Sequence, residues 1–270
     1  MRHVHVRLGP LAVTEAGEEG PLVVLVPGYT GSKEDFRLVL DPLAAAGYRV
    51  VAIDQRGQYQ SPGPDEPTAY TVDALATELL ELLELLGEPV HLVGHSFGGL
   101  VARAAVLRAP HQVRSLTLLS SGPAALTGPR VAMVDFMRPM LESGGLVEIA
   151  DAVQALEDAM GDTRPPELRA FLRERFLANS PVGLLAMAEA LTTEPDRVEE
   201  LAATGVPVLV TYGEGDDAWH PELQADMAQR LAAQHVVIAD ALHSAAVENP
   251  DATVSALTAF FASVDSASAA

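Results

Sequence analysis

Six short apolar runs recur along the chain, at residues 22–26, 49–53, 90–93, 115–119, 206–211 and 235–239, and helix-like segments separate most of them. Runs of this kind, with little polar alternation, suit strands that are buried on both faces of a parallel sheet. Ahead of them Val4, Val6 and Leu8, then Leu11 and Val13, alternate with polar residues around Gly9-Pro10, which predicts an antiparallel hairpin at a sheet edge. The clearest helix is predicted over 71–86. There Val72, Leu75, Leu79, Leu82, Leu83 and Leu86 form one wide apolar stripe, Thr71 caps the start, and Gly87 and Pro89 end it. Strands and helices in alternation predict a doubly wound, mostly parallel α/β sheet.

One interval breaks the rhythm. Residues 122–203 hold amphipathic helical segments, with Pro139, Pro165-Pro166, Pro181 and Pro195 as breakers and no convincing strand. The expected organisation is therefore an α/β core over 1–121 and 204–270 with a helical insertion over 122–203. The small-residue stretch 263–270 is expected to fray.

Composition changes this picture little but excludes several functions. A chain of 270 residues with 49% hydrophobic content is long enough to bury a full core. Its formal net charge of -20 makes phosphate backbones and anionic lipid surfaces poor partners. Without cysteine there is no disulfide framework, no thiolate metal site and no cysteine nucleophile. The N-terminus alternates like a strand and lacks the apolar core of a signal peptide, and no stretch reaches the roughly 18 apolar residues of a membrane span. These features read as a cytoplasmic protein. Lys33 is the one lysine among 17 basic residues, a bias that fits a high-GC bacterial genome.

The chemistry concentrates at Gly94-His95-Ser96-Phe97-Gly98, which follows a predicted strand and opens a predicted helix. In that context Gly-x-Ser-x-Gly is a nucleophile elbow: the glycines permit a strained turn that lifts the serine hydroxyl above the sheet edge. Ser96 is the candidate nucleophile. A serine hydroxyl needs a general base, and that base needs a third group to orient it. His243, in the loop after the last predicted strand, is the expected base; His95 adjoins Ser96, but neighbouring side chains on so tight a turn diverge. The acid is expected after the strand at 206–211, where Gly213-Glu214-Gly215-Asp216-Asp217 offers three carboxylates. Asp216 is preferred by its distance from Gly213, and Asp217 is the alternative. The two backbone donors of an oxyanion hole would be Phe97, just after the nucleophile, and Tyr29, in the loop Pro27-Gly28-Tyr29-Thr30-Gly31.

Asp54-Gln55-Arg56-Gly57 with Ser61, the elbow, Gly213-x-x-Asp216 and His243 together resemble the α/β-hydrolase superfamily over nearly the whole chain. The resemblance implies a sheet of about eight strands that starts with an antiparallel hairpin, and a helical cap inserted after the sixth strand. It also implies that Asp54 and Arg56 hold their loop together. Two positions depart from the family pattern: Pro27 stands where a histidine often precedes the oxyanion glycine, and Tyr59 replaces a usual glycine. No cofactor or metal is implied.

The reaction that follows is acyl transfer to water on a small, largely apolar carboxylic ester, lactone or thioester. Serine at the elbow argues against haloalkane dehalogenase and epoxide hydrolase chemistry, which in this superfamily uses an aspartate there. Met133, Phe136, Met137, Met140, Phe171, Phe176, Leu184 and Met187 are the candidate lining of the substrate pocket. Three alternatives stay open: perhydrolase or haloperoxidase chemistry, carbon–carbon bond hydrolysis or lysis, and a slow-turnover ligand receptor of the same fold. Oligomeric state is not legible.

Overall fold

A computed structural model describes residues 2–127 and 129–269. Eight strands form one sheet: β1 (Arg2–Val6), β2 (Gly9–Ala16), β3 (Leu22–Val26), β4 (Arg49–Ile53), β5 (Val90–His95), β6 (Val113–Leu119), β7 (Val208–Gly213) and β8 (Gln234–Ile238). Their spatial order is β1-β2-β4-β3-β5-β6-β7-β8. The hairpin β1–β2 is antiparallel, β2 also pairs antiparallel with β4, and all further pairings are parallel. Each predicted strand is present to within two residues at its ends.

Helices cover both faces of the sheet. They are α1 (Arg37–Ala45), α2 (Val72–Leu86), α3 (Phe97–Arg108), α4 (Pro129–Glu142), α5 (Leu146–Ala159), α6 (Pro166–Leu177), α7 (Pro181–Thr193), α8 (Val198–Ala202), α9 (Pro221–Arg230), α10 (Ala245–Glu248) and α11 (Pro250–Ala269). Alternate residues of β3 serve opposite layers: Val24 and Val26 join the cluster under α2 and α3, whereas Val23 and Leu25 join the cluster under α1 and α11. That two-sided burial is why the central runs carry no polar alternation. Thr71 Oγ1 accepts from Ala74 N at 3.2 Å at the start of α2, and Gly87 takes a left-handed conformation at its end.

Between β6 and β7 the described residues form helices only, α4 to α8. Met137, Leu141, Leu146, Ile149 and Leu184 make a small apolar cluster of their own, while Val198 and Leu201 of α8 belong to the main core. The C-terminus differs from expectation. The stretch expected to fray continues α11 through Ala269, and Ala270 lies outside the described residues. Alanine is the best helix former, and Leu257, Phe260, Phe261 and Val264 are buried against the sheet. Asp265 is also anchored, accepting from Arg114 Nη1 at 2.9 Å and from His91 Nε2 at 3.2 Å.

Candidate active site

The elbow depends on two close approaches. A Cβ at Gly94 would lie 2.4 Å from Gly98 O, and one at Gly98 would lie 2.4 Å from the carbonyl oxygens of both Val26 and Pro27. Ser96, between them, has φ +53°, a conformation that costs a residue other than glycine about 1–3 kcal/mol. This turn carries β5 straight into α3, whose first residue is Phe97. The backbone N–H of Phe97 is therefore among the N-terminal donors that have no intrahelical acceptor.

Around Ser96 a continuous hydrogen-bonded chain is formed. Ser96 Oγ lies 3.0 Å from His243 Nε2, and His243 Nδ1 lies 2.9 Å from Asp216 Oδ1. Asp216 is buried, and burial pushes its carboxyl up, but hydrogen bonding and charge from His243, with further bonds from Ala218 N and Gln224, outweigh this and hold it below the usual carboxylate range. A carboxylate kept ionised at Nδ1 requires the tautomer in which Nε2 is free to accept the serine proton. Asp217 points elsewhere. It is 62% exposed and pairs with Arg130 of α4 at 2.6 Å.

The loop after β3 runs against the serine: a Cβ on Gly28 would sit 3.0 Å from Ser96 Cβ and 3.4 Å from its Oγ. Tyr29 follows Gly28 directly in this loop. Its phenol is pushed up by burial, and its hydroxyl has no hydrogen-bond partner among the described residues. Two residues that sequence reasoning missed fix this loop. Gln55 Nε2 donates to Pro27 O at 2.9 Å and Gln58 Nε2 donates to Gly28 O at 2.8 Å, both amides being buried. They hold the loop where the family's histidine is replaced by Pro27. Gln58→Met, which keeps the volume but loses the donor, is expected to lower kcat on an ester roughly ten- to a hundredfold with a much smaller change in KM. Steady-state kinetics on the folded variant check this, and an unchanged kcat would mean that the Gln58 bond to this loop has no bearing on turnover.

Asp54 and Arg56 are both buried, yet they hold different elements. Asp54 accepts from Lys33 N at 2.7 Å, from Lys33 Nζ at 3.0 Å and from Gln60 N at 3.2 Å, while Arg56 pairs with Glu78 of α2. Tyr59 does adopt the positive φ, +40°, for which the family uses glycine. Its ring packs edge-on against Phe171 of α6, 6.0 Å between centroids.

No other histidine side chain is hydrogen-bonded to Ser96 among the described residues. His95 Nε2 donates to the backbone oxygen of His243 at 2.9 Å, and so braces the loop that carries the base. His91 is buried in the sheet, His235 bonds Tyr212, and His3, His5, His111 and His220 are exposed. Burial lowers His91 from 6.5 to about 4, and burial together with the neighbouring His243 lowers His95 to about 4 as well. The unfolded chain takes up these protons near 6.5 and the folded chain near 4, so stability falls as pH drops through that window. Melting temperature measured across the window is expected to decline, and less steeply in His91→Gln; equal slopes would contradict this assignment.

A cleft of about 840 Å³ opens beside these loops, between α5 and α6 on one side and Glu34, Asp35, Arg37 and α10 on the other. Thr30, adjoining Tyr29, and Ser244, adjoining His243, both line it. Of the eight expected lining residues, Phe171 and Phe176 reach this cleft. Met137 and Leu184 are buried in the insertion's own cluster with Met140 against it, Met187 is in the main core, and Met133 and Phe136 are 39% and 57% exposed. Helical periodicity marks an apolar face but not what covers it. Among the described residues, no group of three or more His, Asp or Glu side chains is arranged to hold a metal ion, and no helix is long and apolar enough to cross a membrane.

A parallel sheet with an antiparallel edge, a serine on a strained strand-to-helix turn, and a histidine and an acid delivered by later loops define the hydrolase class of α/β proteins. The chain belongs to the alpha/beta hydrolase fold family, whose sequence profile matches residues 21–250. It is 31% identical to epoxide hydrolase A of Mycobacterium tuberculosis over 221 residues, 76% of this chain and 64% of that protein. The chain spans less than two thirds of the length of the curated relatives it matches. Among solved structures it is similar to the enol-lactonase of Burkholderia xenovorans, with 25% identity, a TM-score of 0.82 and coverage of 97% of this chain and 100% of that one. A thermophilic esterase from Thermogutta terrifontis, solved with malate bound, is 26% identical with a TM-score of 0.81, over 98% of this chain and 99% of that one.

Proposed function

We propose that this protein is a serine hydrolase that cleaves a carboxylic ester, lactone or thioester through an acyl-enzyme. The observation that carries this reading is the unbroken chain from Ser96 Oγ through His243 to Asp216, at 3.0 and 2.9 Å. Ser96 Oγ attacks the substrate carbonyl while His243 Nε2 takes its proton. The tetrahedral oxyanion is held by the backbone N–H groups of Phe97 and Tyr29. Collapse expels the alcohol or thiol, which receives the proton from His243, and leaves an ester on Ser96. Water, deprotonated by the same histidine, then attacks that ester, and the acid is released as the proton returns to Ser96.

The identity of the nucleophile separates this reaction from that named for the epoxide hydrolase relative. A serine oxygen that opened an epoxide would be left as an ether, with no carbonyl for water to attack, and the enzyme would stop after one turnover. An acyl group on the same oxygen is an ester, which the oxyanion hole and His243 can hydrolyse. The helices over 122–203 act in this proposal as a cap over Ser96, with the cleft at their seam as the route for substrate.

A fluorophosphonate probe with peptide mass spectrometry tests the assignment, alongside hydrolysis of p-nitrophenyl esters from acetate to decanoate. A single adduct on Ser96 with ester turnover is the expected result. An unlabelled Ser96 together with no turnover would overturn the proposal.

A further inference from the structure

The turn that carries Tyr29 is held from two sides. Gly31 N donates to Gly28 O at 3.1 Å and closes it, and Thr30 within it has φ +59°. A β-branched side chain at positive φ is strained, and it persists only where neighbouring groups hold it there. At the start of the turn Gln55 and Gln58 hold the carbonyls of Pro27 and Gly28. At its end stands Asp35, in the short helical turn Lys33–Phe36 that follows directly. Asp35 Oδ2 accepts from Ser32 N at 3.1 Å, and it lies so near Gly31 that a Cβ there would be 2.5 Å away.

The second oxygen of this carboxylate is engaged by the helical insertion. Arg175 Nη1 of α6 donates to Asp35 Oδ1, the two side chains being 14% and 24% exposed. The same guanidinium lies over the Phe171 ring, 5.8 Å from its centroid, and Phe171 meets Tyr59 of the core. No residue of α6 is fully buried, so apolar burial does little to fix this helix. Its arginines do more. Arg169 and Arg173 tie α6 to Asp158 and Asp151 of α5, whereas Arg175 ties it to the core.

We propose that Asp35 and Arg175 are positioning residues that couple the seating of α6 to the stiffness of the turn carrying the Tyr29 N–H. A carboxylate is planar and rigid, so a shift of Arg175 that turns Oδ1 also turns Oδ2 against Ser32 N. With α6 seated, the strained turn is clamped at both ends and the Tyr29 donor is held where charge develops in the transition state. With α6 lifted, the outer clamp loosens although substrate can still bind. A substrate that lets α6 seat is thereby turned over faster than one that wedges it up, and the insertion selects through kcat as well as through affinity. This rests on the serine hydrolase reading above, in which Tyr29 supplies an oxyanion donor.

The test compares Arg175→Gln, Asp35→Asn and their double with Arg173→Gln, which loosens α6 from α5 but leaves the Asp35 bridge. Asp35→Asn keeps an acceptor for Ser32 N and loses the charge that faces Arg175. On p-nitrophenyl butyrate Arg175→Gln is expected to lose about tenfold in kcat with KM changed by less than about threefold. The double variant should lose no more than the worse single, because both singles break one bridge. Arg173→Gln is expected to keep kcat within about twofold. Amide hydrogen exchange at Gly31 and Ser32, which needs no turnover, should quicken in Arg175→Gln but not in Arg173→Gln. Equal kcat losses in Arg175→Gln and Arg173→Gln, or losses that multiply in the double variant, would overturn the proposal and leave the hydrolase intact. If Arg175→Gln does not fold, Asp35→Asn against Arg173→Gln decides on the same two readouts. A wild type without ester turnover and with Ser96 unlabelled by fluorophosphonate would instead overturn the hydrolase reading, and the coupling of α6 to the turn would be decided on exchange alone.

Discussion

Ser96→Ala is expected to lower kcat for p-nitrophenyl acetate by about four to six orders of magnitude, with melting temperature nearly unchanged. The size of the loss follows from the reaction: without Oγ there is no acyl-enzyme, and what survives is attack by water in a cavity that still holds the two oxyanion donors. The stability effect is small because the change removes one oxygen at a site where strain, not packing, dominates. Alanine keeps the φ of +53° at Ser96 no more easily than serine does. His243 loses one partner at 3.0 Å but keeps Asp216 at 2.9 Å. Burst kinetics at high enzyme concentration give the decisive readout, since the variant should show neither an acylation burst nor a fluorophosphonate adduct. A variant that retained a tenth of wild-type turnover would mean that another residue carries the chemistry.

Asp216→Asn and Asp217→Asn should behave as opposites despite being neighbours. At Asp216 the amide is the wrong partner for His243, because it offers a donor where the imidazole needs an acceptor, and so stabilises the tautomer whose Nε2 bears a proton. Loss of about 10⁴-fold in kcat is expected. The same carboxylate also accepts from Ala218 N at 2.9 Å and, through Oδ2, from Gln224 Nε2 at 3.0 Å, so an asparagine must leave at least one of these donors poorly paired. Asp217 lies in water at 62% exposure and, among the described residues, pairs with Arg130 alone. Exposed pairs contribute about 1 kcal/mol or less, so Asp217→Asn should leave kcat within about twofold and alter at most the attachment of α4. Parallel kinetics on the two variants settle which acid serves His243, and equal losses would contradict the geometry.

The pattern of apolar runs was enough to place the six parallel strands and α2, because burial on both faces writes itself into every residue of a run. The elbow was legible for a related reason. Gly94, Ser96 and Gly98 answer to backbone approaches of a few ångströms within one turn, and such local demands leave a local signature. His243 and Asp216 were reachable through the order of strands, since each follows a strand that ends at the same sheet edge.

Other features have no local signature. Gln55 and Gln58 brace a loop 28 and 30 residues away in sequence. Gln224 reaches Asp216 from the far end of a helical turn, and His95 grips the backbone of the base rather than the nucleophile. In the helical insertion the eight apolar residues looked alike by periodicity, and they separated into core, insertion cluster, surface and cleft only when the helices had been packed. The ion pairing around the cleft was equally hidden, for a net charge of -20 says nothing about where arginines and carboxylates meet. Sequence by itself determined the class of fold and the types of group that meet at the elbow, because propensity, patterning and turn sterics act over a few residues. Tertiary structure alone decided which acid faces His243, which amides hold the loop after β3 and what lines the cleft, because those depend on side chains brought together from distant segments.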